Sequence, residues 1–275
     1  MGDHRLIHVL FNETCHYRNQ LTRGKTMTTK DVMNTYRTTA RVVGVVYLAG
    51  FVVGIVGDML IQSILGAPNR LATVSANSLP VAIGALLWLM AVAGDAAHGV
   101  LMFPVLKPHN ERIAVGYLAA RIVDAIFIAI MVLCILIQIP LGSAYVKAAA
   151  PDAFSLQALS TVSVQARQYA YALGMSTVGV SGVLLCYTLY RAKLVPRLVA
   201  VWGLIGYAII LCGMVSEIMG SGLGLVSSIP GGLWEVFMGV WLIAKGFSSS
   251  PVPAERTTSA TTPIMTSPTV ASSIH

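Results

Sequence analysis

Residues 113–138, IAVGYLAARIVDAIFIAIMVLCILIQ, contain only two charged side chains, Arg121 and Asp124, in an otherwise apolar run. A helix needs about 20 predominantly apolar residues to cross the hydrocarbon core of a bilayer. The run meets this length and contains no proline. It therefore predicts a transmembrane helix with an arginine and an aspartate inside it.

The composition of the whole chain is typical of a membrane protein. Of its 275 residues, 56% are hydrophobic and only 11% are charged, and the mean hydropathy is +0.75. A soluble domain would carry about 25% charged residues. The apolar stretches predict an all-α fold, a polytopic bundle of six transmembrane helices with the lipid bilayer as its partner. The six spans are expected near residues 42–65, 80–103, 113–138, 168–190, 197–219 and 229–247.

The basic residues predict the orientation of the bundle, because lysine and arginine collect in cytosolic connections. They are frequent before the first span, after the second and fourth spans and after the sixth, which places both termini in the cytosol. The residues concerned include Arg37, Arg41, Lys107, Arg112, Arg191, Lys193, Arg197 and Lys245. This distribution accounts for the net charge of +7. No basic stripe alternates with aromatic residues, so no binding to nucleic acid is predicted.

Two flanking segments differ from the six-span domain, residues 41–247. Residues 1–40 are polar and mildly basic and are expected to form a cytosolic N-terminal segment. Three methionines are open as the natural start: Met1, Met27 and Met33. Residues 248–275 are rich in Ser, Thr and Pro, which predicts a disordered cytosolic tail. The long third connection, residues 139–167, is expected to hold a short surface helix that leads into the fourth span.

Four ionisable residues fall at one depth in the second and third spans, and we call them the inner cluster. Asp95 and His98 share one helix face, and Arg121 and Asp124 share another, because each pair is three residues apart. The short connection VLKPHNER makes the two spans antiparallel neighbours. An unpaired charge in hydrocarbon is costly. We therefore expect an Asp95–Arg121 pair with Asp124 and His98 beside it, and protonation of His98 would make the cluster neutral.

A second group of charges, the outer acidic band, is expected nearer the outer side of the membrane. It consists of Asp58, Glu217, Glu235 and Arg167. Three carboxylates against one arginine leave an acidic surplus, which predicts protonated carboxylates, a bound cation or a water-filled vestibule. The alternative is that these carboxylates only reach the headgroup region.

Small residues form stripes on the first and fifth spans, and such stripes let helices approach closely. The positions are Gly50 and Gly54 in the first span and Gly203, Gly206 and Gly213 in the fifth. Both stripes therefore predict tight packing between helices.

Recognisable signatures of catalysis and of cofactor binding are absent from the sequence. It contains no HExxH, GxSxG or P-loop pattern. His98 is the only histidine in a span, which excludes a bis-histidine haem within one chain. Arg121 in the inner cluster argues against a metal ion there. We predict no cofactor, no metal site, no catalytic residue and reduced cysteines.

Four stretches resemble a large bacterial family of multi-pass membrane proteins, the domain of unknown function 4386. They are ARVVGVVYLAGFVVGIVGD (40–58), LLWLMAVAGDAAHGVLMFPVLKPHNERIAVGYLAARIVDAIFIAI (86–130), YRAKLVPRLVAVWGLIGYAIILCG (190–213) and IPGGLWEVFMGVWLI (229–243). The resemblance covers about residues 38–247. It implies a location in the bacterial inner membrane, and it implies no activity.

Three functional interpretations remain open at this point. The first is a small proton- or ion-coupled transporter or channel, whose outer carboxylates line an entrance for a small ion or small-molecule substrate. The second is a non-catalytic structural or sensory membrane protein, whose charges only fix helix packing. The third, ranked below these, is a membrane enzyme that acts on a lipid or quinone, with Asp95 and His98 as an acid–base pair. Formation of a homo-oligomer also stays open.

Overall fold

The computed structural model describes residues 29–248, and these residues form helices and connections without a strand. The helices are α1 (Thr29–Leu65), α2 (Arg70–Ala76), α3 (Ser78–Leu106), α4 (Glu111–Tyr145), α5 (Ala150–Ala192), α6 (Arg197–Ile218) and α7 (Gly224–Ala244). All except the short α2 contain a segment long and apolar enough to cross a membrane. The prediction of an all-α protein with six membrane-spanning helices is confirmed, and the chain is a multi-pass membrane protein.

The six long helices form a closed ring. Each packs against the next long helix in the chain, and α7 returns to pack against α1. One end of the ring, which we call the basic end, holds the loops 107–110 and 193–196 and residues 245–248. The other, the far end, holds the connections 66–69, 146–149 and 219–223, and α2 packs there against α4. Which end faces the cytosol stays a prediction.

Several helix bounds differ from those expected. α5 is one continuous helix of 43 residues, so the surface helix expected in the third connection runs into the fourth span without a break. α7 begins at Gly224, and Pro230 lies inside it rather than at its start. The predicted N-terminal segment overlaps α1 from Thr29 onward. Residues 1–28 and the predicted tail after Ser248 lie outside the described residues.

Loop chemistry sets the α3–α4 hairpin that aligns the inner cluster. α3 ends at Leu106, and the side chain of Asn110 caps α4 by accepting a hydrogen bond from the Ile113 amide at 3.1 Å. Glu111 follows in the first turn, where its negative charge suits the helix dipole. The connection between the helices is therefore short and rigid, and it fixes their relative heights.

Close glycine contacts hold the α6–α7 and α1–α7 seams. A Cβ atom at Gly203 would lie 2.5 Å from the Trp234 ring, and one at Gly206 would lie 3.0 Å from the Gly231 backbone. At the α1–α7 seam, a Cβ atom at Gly44 would lie 2.6 Å from the Gly239 carbonyl oxygen. Gly203 and Gly206 therefore pack closely, as the fifth-span stripe predicts, and Gly44 packs in the same way although it was not part of a predicted stripe.

The first-span stripe does not pack in this way. Among residues 29–248, a Cβ atom at Gly50 or at Gly54 would meet no other atom within 4 Å. α1 contacts its two neighbouring helices through Gly44 and Gly57 instead, and a Cβ atom at Gly57 would lie 3.1 Å from the Gly84 carbonyl oxygen. The expectation of tight packing at Gly50 and Gly54 is wrong, because their face of α1 points into the ring, where none of the helices α2–α7 lies.

Candidate functional site in the ring interior

Arg121 on α4 lies between two carboxylates. Its Nη2 atom donates a hydrogen bond to Asp95 Oδ1 on α3 at 2.6 Å, and its Nη1 atom lies 3.7 Å from Asp124 Oδ2. The first contact is a charge-assisted hydrogen bond, whereas the second is a looser ion pair. The structure thus brings three members of the inner cluster together at mid-height in the ring.

Two glycines on neighbouring helices make room for this arrangement. A Cβ atom at Gly99 of α3 would lie 3.0 Å from Arg121 Cβ, so a larger residue would push α4 away. A Cβ atom at Gly174 of α5 would lie 3.2 Å from Asp124 Oδ1. The inner cluster therefore depends on small residues on both sides of α4.

The two carboxylates beside Arg121 differ in their surroundings. The Asp95 side chain is 31% exposed, whereas that of Asp124 is 1% exposed. Neither oxygen of Asp124 has a hydrogen-bond partner among the described residues. A buried carboxylate without hydrogen bonds is costly in its ionised form. Asp124 is thus the more deeply buried and the less well paired carboxylate of this cluster.

His98 belongs to a different set of contacts. Its Nδ1 atom lies 2.5 Å from the Tyr117 hydroxyl, and its ring centroid lies 4.2 Å from that of Tyr47. It is only 1% exposed, and its Nε2 atom has no hydrogen-bond partner among the described residues. The structure therefore places His98 in a layer of tyrosines rather than in hydrogen-bond contact with Asp95.

Glu235 lies with the inner cluster and not in an outer band. It accepts a hydrogen bond from the Tyr207 hydroxyl at 2.6 Å, and it is close enough to Arg121 and Asp95 for their charges to interact. α7 begins five residues before the expected start of the span, at Gly224 rather than 229. At 1.5 Å per residue, this shift puts Glu235 about 7 Å deeper.

The other members of the predicted outer band separate into two places. Asp58 Oδ1 accepts a hydrogen bond from Arg167 Nη2 at 3.0 Å, which joins α1 to α5 across the ring. Glu217 instead accepts a hydrogen bond from the Gly224 amide at 2.9 Å, at the start of α7. Glu217 therefore caps a helix, and Asp58 and Arg167 form a tie at the far-end side of the interior.

Aromatic residues that the sequence analysis did not single out as a group line both sides of the charged layer. Trp88 and Tyr171 pack edge to face with centroids 6.2 Å apart on the far-end side. Tyr117 lies about one helical turn from Arg121 toward the basic end, and the Tyr47 hydroxyl lies beside that of Tyr207, which bonds Glu235. A tyrosine in an apolar run gives no signal of its own. Tyr117, however, lies four residues from Arg121, and this spacing places it on the same helix face.

The charges do not balance in this interior. Four carboxylates (Asp58, Asp95, Asp124 and Glu235) face two guanidinium groups (Arg121 and Arg167), so the net charge is −2 when all are ionised. Within residues 29–248, no group of three or more potential metal ligands converges on one point. The arrangement can hold and exchange protons, or it can attract a cation.

A comparison with family models matches residues 42–246 to the domain of unknown function DUF4386. The chain belongs to this family. The resemblance seen in the sequence is thereby confirmed. The DUF4386 domain contains every charged residue of the ring interior described above. No curated protein and no solved structure matches the chain.

Proposed function

We propose that this DUF4386 protein is a small proton-coupled transporter of the bacterial inner membrane, with both termini in the cytosol. The observation that carries the proposal is the position of one buried guanidinium between two carboxylates of unequal exposure. The concentration of Lys and Arg at the basic end supports the orientation.

Burial makes it unfavourable for both carboxylates to be ionised together. Arg121 can neutralise one of them, and a second bare charge in a low-dielectric interior costs several kcal/mol. One proton therefore resides on Asp95 or on Asp124. With Arg121 bound to Asp95, the proton sits on Asp124.

A small movement of Arg121 would exchange which of Asp95 and Asp124 is paired with it and which carries the proton. The gap of 3.7 Å between Arg121 Nη1 and Asp124 Oδ2 closes by a side-chain rotation. If Asp95, the more exposed carboxylate, takes up a proton, Arg121 turns to Asp124, which then releases its own proton. The buried net charge stays constant, so the step avoids the cost of an uncompensated charge.

Proton flux into liposomes tests this proposal. The purified protein is reconstituted with an internal pH-sensitive dye, and a potassium diffusion potential drives protons inward. We expect flux above protein-free liposomes, and we expect Asp124→Asn and Asp95→Asn each to remove it. Asp152→Asn, at an exposed position at the start of α5, is the matched control. Parental flux in Asp124→Asn would contradict the proposal.

A structural role is the second candidate, and specific contacts favour it. Arg121, Arg167 and Glu235 each have a hydrogen-bonded partner, as a network that only fixes helix packing requires. This role predicts no flux from any variant, the parent included. The enzyme interpretation is weaker, because His98 is buried against Tyr117 and has no hydrogen bond to Asp95.

A further inference from the structure

An unfilled space lies inside the ring beside Gly54. Tyr47, Gly54 and Asp58 share one face of α1, since they are seven and four residues apart. Tyr47 contacts His98 on α3, and Asp58 reaches Arg167 on α5, which is not a neighbour of α1 in the ring. This face therefore points inward, and a Cβ atom at Gly54 would meet no atom of the described part of the chain within 4 Å.

Such a gap is unusual, because protein interiors are packed to about the density of organic crystals. The gap is also bounded on both sides. Along α3, Trp88 lies about 10 Å from Asp95 toward the far end, and His98 lies about 4 Å from it toward the basic end. The Trp88–Tyr171 pair and the Asp58–Arg167 tie therefore lie on one side of the space, and the tyrosine layer around His98 lies on the other.

The walls between these boundaries are acidic. Asp95 has a partly exposed carboxylate, and Glu235 is close enough to interact with it electrostatically. Asp124 is fully buried among the same groups, and neither of its oxygens has a hydrogen-bond partner among the described residues. Arg121 stands between Asp95 and Asp124 and offsets only one negative charge. The compartment therefore attracts a single positive charge more strongly than a neutral group.

Aromatic faces and carboxylates together favour one chemical class. A cation with an apolar surface gains from the quadrupole of tryptophan and tyrosine rings as well as from an ionised carboxylate. A small inorganic ion would leave the aromatic surfaces unused. We propose that this compartment binds a small monovalent organic cation, an amine or a quaternary ammonium ion, beside Asp95 and between the two aromatic layers.

This inference rests on the proposed function, for which it names the substrate class. When the organic cation enters, one positive charge is added to the interior. Asp124 then releases its proton, so one positive charge leaves. The exchange keeps the buried net charge constant, and it couples the organic cation to a proton moving in the opposite direction.

Equilibrium binding to the purified protein tests the inference. The probes are tetramethylammonium, choline and tetraethylammonium, and the uncharged isostere of choline, 3,3-dimethyl-1-butanol, is the control for size. Titration calorimetry gives the affinity. Tryptophan fluorescence reports whether the cation lies close to Trp88, because a change on binding that comes from this residue should be lost in Trp88→Phe. We expect at least one cation to bind saturably with Kd below about 10 mM. Binding of the cation should release a proton, and the isostere should not bind.

Two variants of α1 localise the site. Gly54→Leu fills the unoccupied space and is expected to weaken cation binding by about 10-fold or more. Ala49→Leu puts the same side chain on an exposed position of α1 and should leave the affinity unchanged. Gel filtration in detergent and circular dichroism check that both variants fold, and Gly54→Ala provides a smaller change if Gly54→Leu does not.

The outcomes separate this inference from the proposed function. No saturable binding of any cation, equal binding of the isostere, or unchanged affinity in a folded Gly54 variant would overturn the inference. If one of these results is found while proton flux that depends on Asp124 is still observed, the proposed function is retained without the inference. If cations bind as expected but Asp124→Asn leaves the proton flux unchanged, the proposed function fails.

Discussion

Arg121 Nη2 lies 2.6 Å from Asp95 Oδ1, although 26 residues separate the two in the chain. This contact joins α3 to α4 in the middle of the membrane-spanning region. Breaking a buried pair by removing one partner leaves the other charge uncompensated, at a cost of about 3–5 kcal/mol. The pair is therefore a sensitive point for the stability of the fold.

We expect Asp95→Asn to destabilise the protein by about 3 kcal/mol, the lower end of that range, because Asp124 stands close enough to take over as partner. Adding Arg121→Gln should restore part of the loss by removing the unpaired charge. Denaturant titration of the protein in detergent measures both changes. A single variant as stable as the parent would show that the pair does not support the fold.

Asp124→Asn should behave in the opposite way. The substitution keeps the shape of the side chain and removes a buried carboxylate that has no hydrogen-bond partner among the described residues. We expect unchanged or higher stability together with loss of proton flux, which separates function from folding in one variant. Marked destabilisation, by about 2 kcal/mol or more, would instead show that the Arg121–Asp124 contact is structural.

Two glycine-to-alanine substitutions should have opposite effects. A Cβ atom at Gly182 would overlap the ring of Tyr207, so Gly182→Ala should cost about 1–3 kcal/mol and displace the partner of Glu235. Gly54→Ala enters open space and should be neutral or stabilising by up to about 1 kcal/mol. Thermal unfolding followed by circular dichroism compares them. Equal destabilisation would mean that the space beside Gly54 is filled.

The Asp58–Arg167 tie can be measured with a double-mutant cycle. Asp58 is 41% exposed, so the interaction is partly screened, and we expect a coupling energy of about 1 kcal/mol between Asp58→Asn and Arg167→Gln. The matched pair for comparison is Lys107 and Glu111, an exposed ion pair on the basic end, where the coupling should be about 0.5 kcal/mol or less. Equal coupling energies in the two pairs would show that the Asp58–Arg167 contact behaves as an ordinary exposed ion pair.

Reporter fusions test the orientation. Because the basic end is expected to face the cytosol, a green fluorescent protein fused after the last residue should fluoresce, and alkaline phosphatase at the same place should be inactive. A phosphatase fused within residues 146–149 should be active. The reverse pattern would contradict the proposed orientation.

The charges gave the most reliable signal in the sequence. Equal spacing within Asp95–His98 and Arg121–Asp124, together with a short connection, is enough to place Asp95 beside Arg121. Glu235 could not be placed from the sequence, because Pro230 suggested the start of a helix that in fact begins at Gly224. Its depth was misjudged for that reason alone.

The tyrosine layer and the open face of α1 illustrate what periodicity leaves out. Tyr207 lies in a run where every neighbour is apolar, so nothing in the sequence distinguishes a ring that bonds a carboxylate from one that faces lipid. Tyr47, by contrast, could be placed from its spacing, because it shares a helix face with Asp58. Gly50 and Gly54 match a packing motif, but a motif does not say whether a helix stands opposite. That depends on the closure of the ring, which involves helices far apart in the chain.

The seam between α1 and α7 joins the first and last long helices of the ring. During synthesis, the α3–α4 hairpin and its Asp95–Arg121 pair can form early, whereas Tyr47 must wait for Tyr207 and Glu235 until the final segment has left the ribosome. A nascent chain that stalls before α7 therefore holds an open arc with its acidic interior facing lipid. We expect membrane quality-control proteases to degrade such a chain, because the exposed carboxylates distinguish it from the completed ring.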